Sequence, residues 1–97
     1  MIFTEEQLTE AETFGALCYP PNEICIILKI KLDDFLKVWV DENSDFMQRY
    51  AHVAIIAKYS IDVMIFNNAQ NGDFKALQEY KNIVTQNQKK HRKRSDV

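Results

Sequence analysis

Three observations predict an all-α fold. Only two glycines and two prolines punctuate the 97 residues, apolar residues recur at three- and four-residue steps, and helix-capping signals stand where those periodic runs begin and end. The expected architecture is a trihelical N-terminal unit over residues 1–43, then a long helix folded back on a last one as an antiparallel hairpin over 44–85. With 46% hydrophobic residues the chain can bury a core, but a domain this small is marginally stable, and self-association is a natural remedy.

The first helix is expected from Glu5 to Leu17. Thr4 and Gln7 form a capping-box pattern, Glu5, Glu6 and Glu10 sit near the positive end of the helix dipole, and Leu8, Ala11, Phe14 or Gly15, and Leu17 recur at helical spacing. Tyr19-Pro20-Pro21 must end it, because a residue before proline is pushed out of the α region, while Pro21 suits the first turn of a second helix reaching about Leu28. Lys29-Ile30-Lys31 is the break, and a third helix follows from Leu32 to Val40. Across this pair Ile24, Leu28, Ile30, Phe35 and Val38 fall where a helix-turn-helix places its shared core; two helices that merely follow each other would leave a similar pattern. Trp39 adjoins the apolar positions of the third helix and reads as a packing residue.

Ser44 or Asp45 can cap the fourth helix, along which Phe46, Tyr50, Val53, Ala57, Ile61 and Met64 alternate steps of four and three. Tyr59 to Phe66 is rich in β-branched residues and also fits strand alternation, although helix is the preferred reading. Asn71-Gly72-Asp73 closes this helix and restarts the next, since glycine tolerates the left-handed conformation and aspartate is a good N-cap. The fifth helix carries Phe74, Leu77, Tyr80 or Lys81, and Val84. From Gln86 onward there is no apolar residue before Val97, and residues 86–97 are expected to be a disordered basic tail.

Signals for catalysis are sparse. His52 and His91 are the only histidines, Cys18 and Cys25 lie seven residues apart without a CxxC, and no glycine-rich phosphate loop or nucleophile motif occurs. Asp33 and Asp34 are adjacent and point about 100° apart on a helix. No catalytic residue, metal site or cofactor is therefore expected, and the chain reads as a non-enzyme. No stretch has the length and apolarity of a signal peptide or membrane span, and the free cysteines suit a reduced, cytoplasmic protein without a membrane partner.

Charge is distributed unevenly. Residues 1–88 hold 7 Lys/Arg against 13 Asp/Glu, whereas 89–97 hold 5 against 1. The block Lys89, Lys90, His91, Arg92, Lys93 and Arg94 can attract nucleic acid by neutralising phosphates, and a solvated terminus would look much the same. The stripe Phe46, Tyr50, Val53, Ala57, Ile61 and Met64 could build a homo-oligomer or face the first and fifth helices of the same chain. Ile55, Ile56, Val63, Ile65 and Phe66 lie off that stripe, which tilts the balance towards a second burial surface.

The pattern from Glu23 to Val40 resembles the helix-turn-helix family: apolar residues at Ile24, Leu28, Ile30, Phe35 and Val38 and a small one at Cys25, with Lys29 where glycine is usual. The resemblance implies that Lys31, Leu32, Asp33, Leu36 and Lys37 face double-stranded DNA, the two lysines meeting phosphates. Asp33 and Asp34 favour the helix N-terminus electrostatically but repel a DNA backbone, so docking of a protein through Leu32, Leu36 and Val40 is the competing use of this face. More broadly, the tryptophan closing the helix-turn-helix, Asp45-Phe46 with Tyr50, the long helix, and Gly72-Asp73 with Ala76-Leu77 are similar to the small-terminase and related phage-encoded helix-turn-helix proteins, over residues 11–85. That likeness implies a DNA-packaging adaptor in a bacterial host cell: N-terminal helices that recognise viral DNA, a hairpin that assembles subunits, and a C-terminal segment that engages a motor protein.

Overall fold

The computed structural model describes residues 1–95, and all regular secondary structure in them is helical: α1 Glu5–Leu17, α2 Pro21–Leu28, α3 Leu32–Trp39, α4 Asp45–Gln70 and α5 Phe74–Ser95. The all-α expectation holds. Thr4 and Gln7 form the full capping box, the Gln7 N–H donating to Thr4 Oγ1 at 3.1 Å and the Thr4 N–H to Gln7 Oε1 at 3.0 Å. Pro21 opens α2, as a residue whose missing N–H costs nothing at that position.

Three helices end in one way. Cys18 (φ 56°), Lys29 (φ 58°) and Gly72 (φ 93°) take the left-handed conformation after α1, α2 and α4. In each case the next residue's N–H reaches back five positions, from Tyr19 to Phe14, from Ile30 to Cys25 and from Asp73 to Asn68, satisfying a terminal carbonyl. Only the third uses glycine.

α3 stops one residue earlier than expected, with Val40 as its cap. Ser44 rather than Asp45 caps α4: its hydroxyl accepts from the Met47 N–H at 3.2 Å and donates to the Val38 carbonyl at 3.4 Å, tying the end of α3 to the start of α4. Tyr59 to Phe66 is helical throughout. The β-branched residues there each cost only about 0.5 kcal/mol of helix propensity, which a helix already nucleated on both sides absorbs.

Two compact units result, residues 1–57 and residues from Lys58 onward. The boundary thus falls inside α4, at Ala57, rather than at Asn43. The first unit is built on Leu8, Ala11, Phe14, Ile24, Cys25, Phe35, Val38 and Phe46. Phe46 and Phe35 meet edge-to-face at 5.3 Å, and Trp39 lies against Tyr50 at 5.1 Å, as a packing residue would.

In the second unit Phe66 of α4 and Tyr80 of α5 lie 5.5 Å apart, and Val63, Ile65 and Ala69 of α4 and Ile83 and Val84 of α5 are half-buried. Ala76 is the one buried side chain among its described residues. α5 does not stop near residue 85. The segment expected to be disordered continues as helix through Ser95, because Gln, Lys and Arg are strong helix formers and cations favour the negative end of the helix dipole.

Candidate functional site

α2 and α3 pack together across the turn Lys29–Lys31, burying Ile24, Cys25, Phe35 and Val38. That burial turns the other side of α3 outward. Lys31, Leu32, Asp33, Leu36 and Lys37, the residues expected to face DNA, are all exposed, as is Asp34. Their character is mixed. Leu32, Leu36 and Val40 fall at steps of four and form an apolar row 41%, 36% and 75% exposed, and Asp33 and Asp34 occupy the first turn, where the helix dipole stabilises them. The unit that carries this face holds four Lys/Arg against ten Asp/Glu.

Cationic charge gathers elsewhere. Residues 58–97 hold eight Lys/Arg against four Asp/Glu. Lys89, Lys90 and His91 are exposed on α5. The backbone continues helically past Arg92, Lys93 and Arg94, whose side chains lie outside those described. Lys58 on α4 joins this group: it lies against Lys90, and by hydrogen bonding first and charge repulsion second it holds the Lys90 ammonium below its ordinary pKa, with Asp62 opposing. Two like charges held together attract an anion between them. Lys58 stands 31 residues before the first residue of the basic block, and only the antiparallel register of α4 and α5 brings it there.

The six-residue stripe of α4 divides between two environments. Phe46 is fully buried in the first unit, and the Tyr50 hydroxyl donates to the Tyr19 carbonyl at 2.8 Å, so both pack within the chain. Val53 and Ala57 are half-buried. Ile61 and Met64 are 58% and 65% exposed, and Tyr59, Phe74 and Leu77 add further exposed apolar surface to the second unit.

His52 lies exposed beside Glu12, Gln48 and Arg49 in a shallow depression. Among the described residues no group of three His, Cys, Asp or Glu side chains could hold a metal ion, and no helix is long and apolar enough to cross a membrane. No family model matches the sequence, and no curated protein or solved structure shows significant similarity to it.

Proposed function

We propose that the chain is a non-enzymatic DNA-binding adaptor that self-associates through its second unit and attaches to duplex DNA through the basic end of α5. The observation that carries this reading is the helical course of α5 through five cations, Lys89, Lys90, Arg92, Lys93 and Arg94, with Lys58 of α4 near Lys90. A helix that presents cations at 1.5 Å rise can neutralise several phosphates without reading bases. Phosphate binding also relieves the repulsion between Lys58 and Lys90.

Self-association is supported by the missing core. A two-helix unit with Ala76 as the one buried side chain among its described residues gains little from burial, whereas a second copy laid on Ile61, Met64, Phe74 and Leu77 makes a bundle. Joining copies raises avidity, so weak phosphate contacts at each α5 sum to useful affinity. The resemblance of residues 11–85 to small-terminase proteins supports a role in phage DNA packaging, in which such an adaptor also contacts a motor protein.

Fluorescence anisotropy of a labelled duplex against two charge-reversed variants tests where DNA binds. Lys89→Glu with Lys90→Glu should weaken binding by at least about tenfold at moderate salt, because two phosphate contacts are lost and two repulsive charges are added. Lys31→Glu with Lys37→Glu on α3 should leave it nearly unchanged. The reverse outcome would make α3 the DNA reader, as in the helix-turn-helix family.

A further inference from the structure

We infer that the outward face of α3 docks an amphipathic helix of a partner protein whose apolar stripe is bordered by lysine or arginine. The face has the form of such a site. Leu32, Leu36 and Val40 make a ridge two helical turns long, about 12 Å from first to last, which matches anchors at i, i+4 and i+7 of a facing helix. Trp39, on the same helix, lines a cleft of about 480 Å³ together with Glu42, Met47, Gln48 and Ala51. A ridge and a cleft on one helix are what ridges-into-grooves packing of a further helix requires. The whole surface belongs to the first unit and depends on no other part of the chain.

Charge selects the occupant. Asp33 adjoins the ridge and Glu42 lines the cleft, Asp34 and Asp41 line a separate depression with Lys37, and the unit as a whole holds four Lys/Arg against ten Asp/Glu. Duplex DNA is disfavoured, because its phosphates would meet these carboxylates. A second copy of the same face brings acid against acid. The basic end of α5 has the right charge but carries no apolar residue from Gln86 to Asp96 to cover Leu36. A basic-flanked amphipathic helix satisfies both the apolar row and its acidic border.

The test titrates the full-length, isotope-labelled chain with a synthetic amphipathic helix of about sixteen residues, made with lysines beside its leucine stripe and again with glutamates there. The lysine peptide should bind saturably and shift amide resonances centred on α3, and the glutamate peptide should bind at least about tenfold more weakly. Leu36→Asp with Val40→Asp then separates docking from simple attraction. Both positions are exposed, so circular dichroism should stay unchanged, and the two added carboxylates would strengthen a purely electrostatic association. Apolar docking predicts a loss of at least about tenfold. Equal binding of the two peptides, unchanged or stronger binding by the variant, or shifts spread over the acidic residues of α1 would overturn the proposal. Duplex binding by α5 is read separately, so either idea can fail alone.

Discussion

Gly15 of α1 packs directly on the backbone carbonyl of Tyr50 in α4, so closely that a Cβ at position 15 would overlap it. The two helix backbones touch at this point, and the contact sets how α1 lies on the first turns of α4. Gly15→Ala should therefore destabilise the first unit by about 3 kcal/mol or more, despite alanine's better helix propensity. Chemical denaturation followed by circular dichroism measures it. A stabilised variant would show that the helices do not approach so closely.

The Tyr50 hydroxyl, donating to the Tyr19 carbonyl at 2.8 Å, adds a second tie at the same place. Removing it in Tyr50→Phe should cost about 1 kcal/mol. Burial, and then the nearby Cys18 thiol, raises the Tyr50 pKa above its ordinary value of 10.0. Because the folded chain prefers the neutral phenol, the stability this preference contributes is complete below pH 10 and is lost as pH rises through the raised pKa. Wild-type melting temperature should fall more steeply above pH 10 than that of the phenylalanine variant.

Lys29 occupies a left-handed position, at φ 58°, in the turn between α2 and α3. A side chain there costs about 1 kcal/mol relative to glycine, and the lysine is exposed. Lys29→Gly should stabilise the protein by about 0.5 to 1 kcal/mol after the entropy of the unfolded chain is counted, an increase of a few degrees in melting temperature.

Ile61 and Met64 stand outside the seam between α4 and α5. Ile61→Glu with Met64→Glu should give a folded monomer in light scattering at concentrations where the wild type is oligomeric, because the substitutions bury charge only in the assembly. A wild type that remains monomeric at tens of micromolar would remove self-association from the account.

Helix positions were readable in the sequence because their signals are local: the Thr4 capping box, Pro21 at the start of α2, and Gly72-Asp73 between α4 and α5. What it left open or missed depends on partners distant in the chain. Gly15 gave no sign of facing Tyr50, and the spacing of Phe46, Tyr50, Ile61 and Met64 could not tell residues held within the first unit from those left exposed on the second. The basic segment read as disordered because it lacks apolar residues, although its helix propensity pointed the other way. Lys58 escaped notice for a similar reason, since its neighbour Lys90 is supplied by the hairpin and not by adjacent sequence. The outward residues of α3 came from the resemblance to the helix-turn-helix family, and Lys31, Leu32, Asp33, Leu36 and Lys37 are all exposed.

The most direct test of the DNA-binding claim is the salt dependence of duplex affinity, measured for the wild type and for Lys58→Glu with Lys90→Glu. Each phosphate contact contributes about −0.9 to the slope of log affinity against log salt concentration. The variant's slope should be shallower by about two contacts, with affinity reduced at every salt concentration. An unchanged slope and affinity would contradict it, because the paired lysines would then take no part in holding DNA.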